Sequence, residues 1–340
     1  MRFVWIIIWL PFFFYSCQGV KEERSVRLFH EKVKVNGEFM IGSPLEMKCL
    51  DDNLIIVDAR SDAFFHWVRL PDFRYMGSFG QHGQGPGEWL KVKTLHALGN
   101  TLYSYDSYKS ELFQVIPDEK LGMLSFRTSD IFQKSLTMDV FPLNANMLCA
   151  YGCFEKGMLH LIDTLGTVQH ISRDFPARDE AESRLSNQIK FMAYQGCVDT
   201  DGNGHVVYLT LNSKQRYVYE LKNDSLVEIA SFQESFPQYT PDEGAGLSVS
   251  HKASSPLGYQ DIAAGKKYFY GLYSGQNFKD VGLKAFECSV IYVYDWLGKL
   301  VMRYDLDVPV SCFCVDEKHK VFYGIANLPD PTLVKFSVVQ

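Results

Sequence analysis

Three observations predict an all-β fold, a six-bladed β-propeller of four-stranded blades. Short strands recur along the chain with turn signals at regular intervals. Helical periodicity is nearly missing. Strands that end in Asp and run into a polar turn return about every fifty residues, and repeats of ~40–50 residues with four strands each mark propeller blades. A chain of 340 residues that is 46% hydrophobic and 22% charged can bury such a core. Its 14% aromatic content suits pleated strands.

The first stretch reads as an address rather than as part of the fold. Arg2 supplies a positive charge, and Phe3 to Tyr15 is apolar, interrupted by Pro11. About thirteen residues fall short of the ~20 that cross a bilayer but match a secretory h-region. Ser16-Cys17 closes the run. A small residue before Cys resembles the lipobox of bacterial lipoproteins. Phe14 and Tyr15 make it the looser form seen in lipoproteins of the Bacteroidetes. The resemblance implies a signal peptide over 1–17, lipidation at Cys17, a tether over 18–25 and attachment to the membrane through the lipid. Lys21-Glu22-Glu23 is similar to the signal that sends such lipoproteins to the outer face of the outer membrane. A cell-surface lipoprotein of the outer membrane is therefore expected, and a periplasmic or secreted protein is the second reading.

The propeller is expected over 26–340. Val26 to Val35 reads as a lone strand, turned by Asn36-Gly37. Then comes a repeating unit of strand, Asp-led turn and strand. It appears as Leu54–Asp58 into Phe64–Leu70, and as Leu102–Asp106 into Leu112–Ile116. It returns as Leu159–Asp163 into Val168–Ile171, and as Ile291–Asp295 into Leu300–Tyr304. Asp suits these turns because its carboxylate accepts from backbone N–H groups two residues on. The spacing from Asp58 to Asp106 to Asp163 sets the period. Other short strands stand between, such as His205–Thr210, Arg216–Leu221, Tyr268–Tyr273 and Val321–Ile325. Arg178 to Phe191 allows one or two surface helical turns, and Thr240 to Pro256 reads as an exposed loop. After Pro309 only three strands remain, so the N-terminal strand is expected to pair in the last blade, beside Phe336, and close the ring. Closure removes the edge that would template aggregation.

One loop stands out. Gly80, Gly83, Gly85 and Gly87, with Pro86, fall within eight positions and lead to Glu88 and Trp89. Neither a helix nor a central strand tolerates that density of Gly and Pro. A P-loop needs Lys-Ser/Thr after its last Gly, and a dinucleotide fingerprint needs a βαβ unit; neither is present. The expected role is a structural connector between blades, with Glu88 tying down backbone donors and Trp89 packed between blades. Gln81, His82 and Gln84 are the candidate binding rim. Gly85-Pro-Gly-Glu-Trp89 after Ser78-Phe-Gly80 resembles the G-x-G-P-G-E-F connector of NHL-like and TolB-like six-bladed propellers. Residues 291–338 are similar to the closing part of the six-bladed β-propeller lipoproteins of Bacteroidetes. That resemblance implies the fold and the envelope address and says little of chemistry.

The net charge of −6 argues against nucleic acid, which demands a basic face. Besides Cys17 there are seven cysteines, an odd number, best read as small buried hydrophobes. No pair of Cys or His has zinc spacing, so neither a metal nor another cofactor is expected. Asp199-Thr-Asp201-Gly-Asn203-Gly204 has the look of a calcium loop but puts Thr210 where the bidentate Glu belongs, and a hairpin turn explains it. There is no G-x-S-x-G elbow, and spacing assigns no catalytic carboxylate pair. The expectation is a monomeric binding or scaffolding protein for a glycan, peptide or protein partner, without catalysis. The alternatives are a propeller hydrolase or lyase acting on a lactone or sugar at the central channel, and an extracytoplasmic sensor component.

Overall fold

The computed structural model describes residues 24–118, 120–130, 136–242 and 246–338. The apolar leader, Cys17 and residues 18–23 of the tether lie outside the described residues.

Six antiparallel sheets follow one another around a ring. The first blade is Pro44–Leu50, Asn53–Asp58, Ala63–Arg69 and Arg74–Gln81. The second is His96–Leu98, Thr101–Asp106, Glu111–Asp118 and Met123–Asp130. The third is Leu136–Pro142, Met147–Cys153, Leu159–Asp163 and Val168–Ile171. The fourth is Gly196–Thr200, His205–Thr210, Gln215–Lys222 and Ser225–Gln233. The fifth is Tyr259–Ala264, Tyr268–Tyr273, Cys288–Asp295 and Leu300–Val310. The sixth takes Phe313–Asp316, Val321–Asn327 and Pro331–Ser337 from the end of the chain, and its fourth strand, His30–Lys32, from the beginning.

Closure is therefore as the sequence predicts, with His30 paired to Phe336. The N-terminal strand is not continuous, however. Ser25–Leu28 runs parallel to Leu300–Val310 as a fifth strand on the fifth blade, and the chain then crosses to the sixth. Asp307 fixes the crossing, accepting from His30 N at 3.0 Å and pairing with its imidazole Nδ1 at 3.0 Å.

The packing explains why many strands lack strict alternation. Leu54, Ile55, Ile56 and Val57 are all fully buried. Successive side chains point to opposite sheet faces, and here both faces meet another blade. Leu54 and Ile56 pack with Cys312, Tyr323 and Ile325 of the sixth blade. Ile55 and Val57 pack with Leu102, Phe113 and Val115 of the second. The other blade interfaces are filled in the same way.

The Asp-led units divide into two kinds. Asp58 and Asp106 end the second strands of their blades. Each carboxylate binds the turn that follows and also the incoming connector: Asp58 accepts from Gly42, Ser43 and Arg60 N, and Asp106 from Leu90, Lys91, Tyr108 and Lys109 N. Asp163 and Asp295 instead end third strands and cap the turn to the fourth. The step from Asp106 to Asp163 is thus not a blade period, although the period it suggested is close to the true one.

Two insertions differ from their sequence reading. Glu180–Ser183 and Asn187–Tyr194 are helices, capped by Asp179 and Ser186. The second is no surface turn: Phe191 and Tyr194 are buried with Phe175 and Tyr208. Thr240 to Pro256 is not a bare loop, because Tyr239–Pro241 and Val249–His251 pair as a hairpin. Every first strand starts at the same face of the ring. Connectors between blades, and turns between second and third strands, share that face. The helices, the hairpin and the segment Phe278–Phe286 all lie there.

Candidate functional site

The first strands line the central channel, and they bring together buried charges that are far apart in sequence. Glu46 and Lys48 come from the first blade, His96 from the second, Asp139 from the third, Asp199 from the fourth and Asp261 from the fifth. Lys48 Nζ reaches across the channel to Asp199 Oδ2 at 2.5 Å. His96 bridges two acids, with Nδ1 3.1 Å from Asp199 Oδ1 and Nε2 2.9 Å from Asp139 Oδ2. Asp199 Oδ2 also accepts from Ala264 N at 2.7 Å. Glu46 Oε1 accepts from Leu95 N at 3.0 Å, and Asp261 accepts from Ile262 N and Phe313 N at 2.8 and 2.9 Å.

The electrostatics divide the cluster in two. Burial disfavours any charge here, so partners decide. His96 overcomes burial because Asp139 and Asp199 hold its proton, and it is pushed up to about 10. Lys48 is likewise raised against burial by Asp199, and Asp199 is lowered against burial by Lys48 and His96. These three form a charged, mutually satisfied core. Glu46 lacks such a contact, and burial carries it well above the usual carboxylate range despite Lys48. Burial likewise pushes Asp261 up to about 7. Four carboxyl groups thus face two buried cations, with the exposed Lys93 as a third at the rim.

The two less satisfied acids open into a cavity of about 280 Å³ at the channel mouth. Glu46, Lys93, Asp139, Tyr151, Phe191 and Asp261 contribute to its wall. Asp139 is only 5% exposed, and its Oδ1 has no hydrogen-bond partner among the described residues. A buried acceptor without a partner carries an uncompensated desolvation cost of about 1–3 kcal/mol, more when charged. Among the described residues no three His, Cys, Asp or Glu groups converge as a metal site. The mouth is built to receive hydrogen-bond donors against an acid-rich wall with two aromatic rings.

The glycine loop lies on the same face, at the outer end of the first blade, and leads to the first strand of the second. Glu88 Oε2 accepts from Gly85 N at 2.9 Å, Gly83 N donates to Trp89 O at 3.0 Å, and Trp89 N to Gln81 O at 3.0 Å. A Cβ on Gly83 would land on the Glu88 carboxylate, and Gly80 holds φ +81° against Phe65 and Trp89. Gly87 also has positive φ, and Pro86 is exposed beside it. Trp89 is fully buried between the first two blades, stacked on Phe113 at 4.5 Å. Gln81, His82 and Gln84 are exposed, and the His82 ring lies 3.8 Å from that of Phe64. The structure brings these three near one another but not into the wall of the mouth cavity.

Sequence reasoning passed over every residue of the channel cluster except Asp199, which it read as a turn residue. Asp201 does serve that turn, accepting from Asn203 and His205 N, but Asp199 points into the channel. The available signal was an ionisable residue inside a first-strand pattern, as in Leu45-Glu-Met-Lys48 and Thr137-Met-Asp139.

The sequence pattern of the TolB-like 6-blade propeller-like family matches residues 25–318. Among solved structures, one described as an exported protein of Bacteroides fragilis superposes with a TM-score of 0.57 at 13% identity. That match covers 93% of this chain and 99% of the other. The WD40 repeats of RRP9 align with a TM-score of 0.49 at 9% identity, covering 91% and 97%. The Cps50 (Swd1) β-propeller domain of Myceliophteria thermophila gives 0.46 at 12% identity, covering 90% and 99%. No curated protein matches the chain.

Proposed function

The chain belongs to the TolB-like six-bladed propeller family, and on that footing we propose that it is an extracytoplasmic binding protein that takes a cationic group into the mouth of its channel. It is a monomer held at the outer membrane through a lipid on Cys17, as in the propeller lipoproteins of Bacteroidetes. The leader sequence supports that address, and the fold shared with a Bacteroides fragilis protein described as exported agrees with it. Of the ligand classes a propeller face can take, a peptide with a basic side chain suits this mouth, as does a small amine.

The observation that carries this reading is Asp139, a residue of the cavity wall whose buried Oδ1 has no partner among the described residues. An ammonium group placed there supplies the missing donor and a positive charge among four acids. Tyr151 and Phe191 add ring faces, which attract cations when desolvated. Glu46 and Asp261 ionise as the cation arrives, so binding releases protons.

Calorimetric titration of the full chain with methylammonium and with a lysine-containing tripeptide tests this. Asp139→Ala is expected to weaken binding by about tenfold or more, the size of one hydrogen bond to a charged group. Preference for the tripeptide over methylammonium identifies a peptide ligand. Equal affinity for methanol and methylammonium sinks the proposal.

A second reading is a hydrolase or lyase for a lactone or sugar at the same mouth. The raised acidity range of Glu46 and Asp261 favours it, because a carboxyl group that keeps its proton near neutral pH can serve as a general acid. Turnover of a lactone panel that is lost in Asp261→Asn distinguishes it from binding alone.

A further inference from the structure

Neighbouring first strands are linked by polar contacts around most of the ring. Glu46 ties the first blade to Leu95 N before the second, and His96 ties the second to Asp139 of the third. Asp199 joins the fourth to Ala264 of the fifth, and Asp261 joins the fifth to Phe313 of the sixth. At the seam between the sixth blade and the first, two sulfurs meet instead. Cys314 Sγ lies 3.0 Å from Cys49 Sγ. This seam joins segments 265 positions apart and is where the ring begins and ends.

We propose that Cys49 and Cys314 form a disulfide that locks the first strand of the first blade to that of the sixth. A thiol pair is a poor hydrogen-bonding link, and two sulfurs at 3.0 Å stand about 1 Å from the ~2.05 Å of a bond. Both lie on paired strands, Pro44–Leu50 and Phe313–Asp316, whose positions the sheets already fix. Other cysteines are placed differently: Cys153 Sγ faces Gln188 O at 3.8 Å and Cys288 Sγ faces Phe286 O at 3.7 Å. Cys49 is half-buried and Cys314 buried, so oxidation begins at Cys49. Its thiolate attacks a disulfide reagent, expelling one thiol. The Cys314 thiolate then attacks the Cys49 sulfur and expels the second. Overall, two cysteine thiols and one reagent disulfide give the protein disulfide and two reagent thiols. Such oxidants act outside the cytoplasm, so formation in the cell rests on the proposed address, whereas formation in a test tube does not.

The consequence reaches the mouth, because Cys49 follows Lys48 and Glu46 on one strand. The bond closes a very long loop, which raises stability through the unfolded chain. The test begins with reduced full-length protein equilibrated with oxidised glutathione, then alkylated under acid quench and weighed. Two thiols of the set are expected to vanish, with a Cys49–Cys314 crosslinked peptide and a melting temperature higher by about 5 °C or more. Cys49→Ser is expected to abolish the crosslink and the shift while keeping the reduced protein's melting temperature. A different pairing, or a lasting mixed disulfide on Cys49, overturns the inference. If the bond forms in glutathione yet is missing from protein alkylated in cells, the seam stands and the extracytoplasmic reading fails.

Discussion

The glycine connector and the channel mouth both set carboxylates against backbone N–H groups, yet they do opposite things. Glu88 sits three residues from the amide it binds, and Gly83 and Gly85 press so close to its carboxylate that a Cβ on Gly83 would collide with it. Trp89 then anchors the whole turn between two blades. At the mouth, Asp139 is held by His96 from another blade and keeps one oxygen unspent. The connector is a closed device whose carboxylate and backbone amides bond one another, although the buried Trp89 Nε1 has no partner among the described residues. The mouth is an open one, in which tertiary packing pays for a charge core and leaves acids with unmet bonding capacity. A polar residue that completes its hydrogen bonds locally is there for architecture. An ionisable one that is buried, incompletely satisfied and set in a cavity wall, as Asp139 is, is the better pointer to a ligand.

Substitutions can break this contrast. The largest effect is expected at Asp199, the hub of the charge core. Asp199→Ala strands Lys48 and takes one of two acids from His96, and breaking a buried pair costs about 3–5 kcal/mol. Chemical denaturation should record that loss; a change below ~1 kcal/mol would mean that the core is hydrated and the satisfied half of the comparison is wrong. A smaller loss is expected in the connector. Gly83→Ala pushes Glu88 off Gly85 N, which costs about 1–3 kcal/mol. Its amine affinity should stay within about twofold of the native chain, because the mouth does not use the loop.

The smallest effect is the dependence of binding on pH. Asp261 and Glu46 are raised in the folded protein, so their contribution to stability is full below their unfolded values, near pH 4. It is lost as pH rises, for Asp261 through about 7. Asp199 runs the other way, since its lowered range stabilises the fold above pH 4 and is lost in acid. A cation that needs ionised Asp261 should bind about fivefold more weakly at pH 6 than at pH 7. Calorimetry in buffers of different ionisation enthalpy measures the proton released. A flat profile from pH 6 to 8 removes Asp261 from the site.

Much of the architecture was legible in order along the chain. Tyr268–Tyr273 and Val321–Ile325 declare strands by composition, Asp58 and Asp295 announce turns, and the chain's shortage of strands after Pro309 calls for the closing strand. The errors share one cause. Asp163 looks like Asp106 because both end a strand at a turn; which turn of the blade it is depends on neighbours. Asn187–Tyr194 looked superficial because its polar residues are numerous, yet Asn187 and Lys190 are buried by bonds to Phe154, Gly157 and Phe175 carbonyls.

The sequence by itself determined the blades, the Asp-capped turns, the closing strand and the shape of the Gly80–Trp89 connector. Each of these follows from residues close together in the chain, through backbone preference and side-chain periodicity. Only the tertiary structure decided that Glu46, Asp139, Asp199 and Asp261 meet, that Lys48 answers Asp199 across the channel, and that Cys49 touches Cys314. Those contacts join residues up to 265 positions apart. Their strength comes from burial, which no local pattern reveals until the ring has closed.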